Sequence, residues 1–187
     1  MIELVVFIVV VSAAVAGVLG ALNMATRASA DPMIQKQALA IAEAVLEEVQ
    51  LMPFTYCDPD DPQAETALDS SVGATGCTEA AAVELIGAEG TAPYGPETRV
   101  SGTTPFDNGN DYHGYSMSGI TNIEGAGITG LGDYKAEVTV AAQAVGAIPA
   151  SDAQLITVTV TWPAAGTAQY TVLLQGYRVR YAPNALP

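Results

Sequence analysis

Basic and metal-binding side chains are scarce in this sequence. Six Lys+Arg stand against 20 Asp+Glu and a single His, which gives a formal net charge of −14. Because DNA and RNA are bound mainly through lysine and arginine on phosphates, we expect no nucleic-acid partner. One histidine and two cysteines exclude a zinc site built from histidine and cysteine, which needs about four such ligands. Half of the residues are apolar and 14% are charged, a composition that excludes intrinsic disorder.

The apolar residues are concentrated at the start of the chain. From Leu4 to Leu22 the sequence has 19 residues without a charge, and as a helix these would cover about 28 Å, close to the hydrocarbon thickness of a bilayer. A cleaved signal peptide would begin with basic residues, whereas here the run follows the acidic Glu3. The pattern therefore favours a retained membrane helix.

Several segments resemble a known family. The opening MIELVVFIVVVSAAVAGVLGAL is similar to the N-terminus of mature type IV pilins, in which a glutamate precedes about twenty apolar residues. The segments DPMIQKQALAIAEAVLEEV, FDNGNDYHGY, TVTVTWP and LLQGYRVRYAP resemble the MshD-like minor pilins of mannose-sensitive haemagglutinin (MSHA) pili, which are related to PilV-type pilins. In one departure, Gly20 stands where many pilins have a proline.

The resemblance implies a filament subunit. Such a protein crosses the inner membrane once, is processed by prepilin peptidase, and is built by the pilus assembly machinery, with other pilin subunits, into an extracellular fimbrium that serves cell adhesion. Glu3 matches the family glutamate, which pairs with the terminal amine of a neighbouring subunit. In the family this glutamate is the fifth mature residue and the first is methylated, so we expect two residues and a leader to precede Met1.

The first 52 residues are predicted to form one long helix, with a membrane or filament-core segment at 1–26 and an amphipathic half at 27–52. Asp31-Pro32 predicts a kink or restart of the helix, and Met52-Pro53 predicts its end. An apolar stripe recurs at steps of three and four residues. It comprises Ile34, Ala38, Ile41, Val45, Val49 and Met52.

Residues 53–187 are predicted to form a globular domain with a loop region at 53–111 and a β-sheet region at 112–187. A short helix is expected at Thr78–Ile86. Alternating apolar residues and threonines, as in LITVTVTW, are typical of a sheet with one buried face. The predicted strands are Tyr112–Ile120, Tyr134–Ala142, Gln154–Trp162 and Gln169–Gln175, with Tyr177–Tyr181 as a continuation. The expected fold is α+β, a type IV pilin-like helix packed on an antiparallel sheet.

Two features of the loop region suggest bonds that stabilise it. Cys57 and Cys77 enclose 19 residues, a spacing that favours a structural disulfide over a redox-active pair. Clustered acids suggest a weaker possibility, a calcium site, with solvated turns as the alternative; no other cofactor is expected. The candidate calcium ligands are Asp58, Asp60, Asp61, Asp107 and Asp111.

Catalysis is not expected. His113 lies close to Asp111 and to Ser116 and Ser118, but no Gly-x-Ser-x-Gly motif accompanies them. Three alternatives to a pilus subunit stay open: a type II secretion pseudopilin, a tip adhesin that binds through the loop region, and a membrane-tethered monomer that binds or transforms a ligand.

Overall fold

One helix and one sheet account for most of the regular structure. The computed structural model of the protein describes residues 2–166 and 170–180, and for residues 23–31 it describes the backbone alone. Helix α1 spans Ile2–Leu51, and four strands form an antiparallel sheet. This arrangement confirms the α+β class. The chain divides into two compact units, Met1–Gln37 and Ala38–Pro187, with the division inside α1.

Asp31-Pro32 is predicted to mark a kink or a restart of the helix. Helix α1 continues through Pro32 without a restart, and the kink stays a prediction. An internal proline removes one helical hydrogen bond and crowds the preceding turn. Here the residues on both sides, ATRASA and MIQKQALA, are mostly strong helix formers, and their propensity outweighs that local cost. The helix ends at Leu51, just before Met52-Pro53.

The core of the second unit begins on α1. From Ala38 onward the helix buries one face and exposes Glu43 and Glu47 on the other, as the apolar stripe predicts. Against Gly176 of the last strand the packing is close, because a Cβ atom there would lie 3.2 Å from Leu46 Cδ1. The buried helical residues are Ala38, Ile41, Ala42, Val45, Leu46 and Val49.

The strands follow one another in the order β1-β2-β3-β4, and each neighbouring pair is antiparallel. In β3 the apolar residues Ile156, Val158 and Val160 are buried while the threonines between them are half-buried, which confirms the alternation. The first strand, predicted at Tyr112–Ile120, is shorter than expected and spans Ser116–Ser118. Two predicted strand ends, Gln169 and Tyr181, lie outside the described residues. The strands are β1 Ser116–Ser118, β2 Lys135–Ala142, β3 Ala153–Trp162 and β4 Tyr170–Val179.

The loop region contains little regular structure. In place of the helix expected at Thr78–Ile86 there is one short 3-10 turn, Ala80–Ala82. The helix prediction is wrong because Val83 forms a β-bridge with Cys57, which takes the chain out of a helical conformation. Cys57 and Cys77 are joined by the predicted disulfide. Both cysteines are fully buried among Ala64, Ala67 and Ala82, so the bond lies in a small core of its own.

Candidate functional sites: an exposed apolar helix and a buried acidic cluster

The first candidate site is the apolar surface of α1. Ile2–Leu22 has a mean hydropathy of 2.8 and none of it is buried. By length and composition this helix could cross a membrane, although a signal sequence has the same properties. Contiguous apolar surface of this size is unfavourable in water by about 25 cal/mol per Å². We therefore expect a lipid bilayer or other protein chains to cover it.

Glu3 is the single ionisable residue of that segment. It lies in the first turn of α1, where a carboxylate interacts favourably with the positive end of the helix dipole. Its side chain is exposed. A carboxylate at the edge of an apolar helix would be costly to bury without a cationic partner, so its position favours an interface with water or with a positive group.

The second candidate site is a cluster of seven carboxylates in the loop region, which we call the acidic cluster. It consists of overlapping groups of three residues, and within each group one carboxylate oxygen from each residue lies within 4.8 Å of the other two. The residues come from three separate stretches, 58–60, 84–97 and 107–111. Its members are Asp58, Asp60, Glu84, Glu89, Glu97, Asp107 and Asp111.

Tight turns orient two of these carboxylates. Asp58 Oδ1 accepts a hydrogen bond from the backbone N–H of Asp60 at 2.7 Å. Asp111 Oδ2 accepts two, from the N–H groups of Asp107 at 3.0 Å and Asn108 at 2.6 Å. The other oxygen of each, Asp58 Oδ2 and Asp111 Oδ1, is buried and has no hydrogen-bond partner among the residues that the structure describes. In each turn, backbone N–H groups therefore hold one oxygen of the carboxylate, and the second oxygen has no hydrogen bond in the described residues.

Glu84 is oriented in the same way by a neutral side chain. Asn110 Nδ2 donates a hydrogen bond to Glu84 Oε2 at 2.7 Å and another to the carbonyl of Leu85. Glu84 Oε1 and Asn110 Oδ1 are both buried and, within the described part of the chain, unpaired. Four further oxygens are also buried without a hydrogen-bond partner in the described residues. They are Glu89 Oε2, Glu97 Oε2, Asp107 Oδ1 and Asn108 Oδ1.

No member of the acidic cluster forms an ion pair in the described residues, although Arg180 is near enough to Glu84 for the two charges to interact. The ion pairs in the described residues join Arg99 to Glu48, Lys135 to Glu137 and Arg180 to Asp152, and none includes a member of the acidic cluster. A buried carboxylate without a cation is strongly disfavoured in its charged form. In the acidic cluster the negative form of a buried carboxylate is therefore unfavourable unless protons or a bound cation offset its charge.

The pKa values of the acidic cluster show the effect of this charge. Burial and the neighbouring carboxylates raise the pKa of Asp58 to about 6 and those of Asp107 and Asp111 to about 7. For Glu84 the same two causes raise the pKa further above its ordinary value, and for Glu97 a hydrogen bond with Glu89 adds to burial and to the neighbouring carboxylates. A metal ion can relieve the repulsion among such carboxylates, because it replaces their protons with a larger positive charge.

Four of the five predicted calcium ligands, Asp58, Asp60, Asp107 and Asp111, belong to the acidic cluster, whereas Asp61 does not. The carboxylate of Asp61 accepts hydrogen bonds from the N–H groups of Gln63 and Thr78 and from the Thr78 hydroxyl. Burial alone would raise the pKa of Asp61, but these hydrogen bonds lower it. Asp61 therefore stabilises a turn.

Sequence reasoning missed Glu84, Glu89 and Glu97. They are scattered over a stretch without periodicity, and no spacing in the sequence places them beside residues 58–60 or 107–111. His113, considered for catalysis, accepts a hydrogen bond on Nδ1 from the backbone N–H of Val140 at 3.2 Å. That contact ties the histidine to β2.

No family model, curated protein or solved structure matches this chain.

Proposed function

We propose that this protein is a structural subunit of a type IV pilus of the MSHA kind, which polymerises through the apolar part of α1. The observation that carries the proposal is the exposed apolar surface of Ile2–Leu22, whose single ionisable residue is Glu3 in the first turn of the helix. The resemblance of the opening residues to mature pilins supports it. The resemblance of later segments to MshD-like minor pilins favours a role in adhesion or pilus biogenesis.

Before assembly, the subunit crosses the inner membrane once. The length of Ile2–Leu22 suits the bilayer, and the rest of the chain lies outside the cytoplasm. The Cys57–Cys77 disulfide supports that location, because disulfides persist in oxidising compartments. Prepilin peptidase and the pilus assembly machinery are the partners at this stage.

In the filament, helices of neighbouring subunits replace lipid around Ile2–Leu22. Glu3 then neutralises the terminal amine of a neighbouring subunit. Surroundings of low dielectric constant exclude water and so strengthen the attraction between the carboxylate and the amine. Because this attraction is available only where the two groups meet, it favours the correct axial position of the incoming subunit. An uncompensated carboxylate in the same surroundings would oppose assembly.

A type II secretion pseudopilin would use the same helix and the same glutamate. It would differ from a type IV pilus subunit in the filament that it helps to build. A membrane-tethered monomer would use the helix as an anchor alone. Glu3 separates the two polymeric functions from the monomeric one, because only polymerisation requires its pairing with a second chain.

The test is the substitution Glu3→Ala, with Glu43→Ala as the matched control. Glu43 is an exposed acid on the polar face of α1, so its loss makes the same change of charge away from the apolar segment. We expect Glu3→Ala to abolish recovery of the protein in sheared surface filaments while its membrane level stays normal. Normal incorporation of Glu3→Ala would contradict the proposed assembly.

A further inference from the structure

The acidic cluster has the oxygen donors of a metal site, and none of its members forms an ion pair in the described part of the chain. We propose that it binds calcium, and that the bound ion fixes the loop region 53–111. The ligands would be drawn from Asp58, Asp60, Glu84, Glu89, Glu97, Asp107 and Asp111, together with the side-chain oxygen of Asn110.

Buried oxygens without partners are the second observation that points to a cation. Asp58 and Asp111 are each 1% exposed, yet each keeps one oxygen without a donor in the described residues. Asn110 is 4% exposed, its amide nitrogen contacts Glu84, and its oxygen is likewise unpaired. An unpaired buried oxygen is unfavourable, because it has lost its hydrogen bonds to water without gaining others. A cation among these atoms would satisfy several of them at once.

The hydrogen bonds around the acidic cluster resemble those that support metal ligands. Backbone N–H groups hold one oxygen of Asp58 and one of Asp111, and Asn110 holds one of Glu84. Such outer contacts orient a carboxylate and leave its second oxygen for the metal. The free oxygens are therefore preorganised in the folded protein.

The donor set favours calcium over other cations. All the candidate ligands are carboxylate or amide oxygens, which exclude metals that prefer sulfur or imidazole. Calcium accepts six to eight oxygens in flexible geometry, whereas magnesium keeps several waters and uses one or two carboxylates. Seven carboxylates from three stretches of chain fit the larger ion.

Calcium would join parts of the loop region that are distant in sequence. Residues 58–60, 84–97 and 107–111 meet at the acidic cluster, and the disulfide joins Cys57 to Cys77 alone. The ion would thus act as a second crosslink, connecting the stretches that the disulfide does not reach. This inference does not depend on filament assembly, so its failure would leave the proposed function intact.

The direct test is calorimetric titration of the full chain in nonionic detergent, after treatment with EGTA, using CaCl₂ or MgCl₂ at constant ionic strength. We expect saturable calcium binding with a Kd of about 10⁻³ M or lower and binding of magnesium at least about tenfold weaker. No saturable binding up to about 10 mM calcium, or equal binding of both ions, would overturn the proposal.

Two variants locate the site, and one controls for charge. Asp107→Asn removes a carboxylate whose Oδ1 is buried without a hydrogen-bond partner in the described residues, and Glu97→Gln is a second isosteric change. Glu65→Gln removes the same charge from an exposed position of the loop region outside the acidic cluster. We expect the first two to weaken calcium binding at least about tenfold and the third to leave it unchanged. Equal affinities in all three variants would place the calcium elsewhere and contradict the proposal.

Thermal unfolding separates loss of binding from loss of folding. Calcium should raise the Tm of the wild-type chain by several degrees relative to EGTA, and this rise should be largely absent in Asp107→Asn. In EGTA the variant should be at least as stable as the wild type, because it relieves repulsion among the carboxylates. A lower Tm in EGTA combined with an undiminished calcium response would show that Asp107 has a purely structural role.

Discussion

Arg99 forms a two-pronged ion pair with Glu48, 51 residues earlier in the chain. Its Nε lies 2.6 Å from Glu48 Oε1 and its Nη2 lies 2.8 Å from Oε2. The Tyr112 hydroxyl donates a third hydrogen bond to Oε1 at 2.8 Å, and Arg99 Nη1 donates to the carbonyl of Asn122 at 3.0 Å. One buried network thereby connects α1 with the loop and sheet regions.

Glu48→Gln should destabilise the second unit by about 2–3 kcal/mol. The substitution leaves the buried guanidinium of Arg99 without its counter-charge, and removal of one partner from a buried pair is strongly destabilising. Urea unfolding of the full chain in detergent measures the change. The control is Glu137→Gln, because Glu137 pairs with Lys135 at the surface, where such pairs contribute less than about 1 kcal/mol. Equal losses in the two variants would contradict the account of the network.

The contribution of Glu48 should depend on pH. Burial alone would raise the pKa of Glu48, but hydrogen bonds from Arg99 and Tyr112 and the charge of Arg99 hold it below its ordinary 4.5. A group with a lowered pKa stabilises the fold above its unfolded pKa and loses that effect as the pH falls through its folded pKa. The stability gap between wild type and Glu48→Gln should therefore be full near neutral pH and shrink below pH 4.5. Urea unfolding at a series of pH values measures this gap, and a gap that stayed constant down to about pH 3 would count against the argument.

Loss of the Cys57–Cys77 disulfide should lower stability by about 3 kcal/mol, since the bond closes a loop of about 20 residues. The double variant Cys57→Ser/Cys77→Ser avoids a free thiol. Hydrogen exchange should then increase in the small core around Ala64, Ala67 and Ala82 while β3 stays protected. Uniform loss of protection across the sheet would show that the disulfide supports the whole unit.

Local patterns predicted the regular elements of this fold well. The spacing of Ala38, Ile41, Val45 and Val49 was sufficient to identify the buried face of α1, and the alternation in β3 identified its buried side. With two cysteines in the chain, one pairing was possible. These predictions succeeded because each depends on residues close in sequence or on a single pair.

The acidic cluster could be predicted only in part. Asp107 and Asp111 belong to one turn and Asp58 and Asp60 to another, so each pair was recognisable as a set of oxygen donors. The acidic cluster also contains Glu84, Glu89 and Glu97, which lie on irregular backbone. Such backbone has no repeating spacing in the sequence from which their positions could be predicted. Their convergence depends on long-range folding of the loop region, and single-sequence patterns do not contain that information.

Analysis of sheared surface filaments by electron microscopy and mass spectrometry tests the proposed function most directly. The filaments are compared with the membrane fraction of the same cells after chemical crosslinking. The account predicts peptides of this chain in the filaments and crosslinks between the α1 segments of neighbouring subunits. Recovery of the chain solely from membranes, as a monomer without such crosslinks, would contradict it.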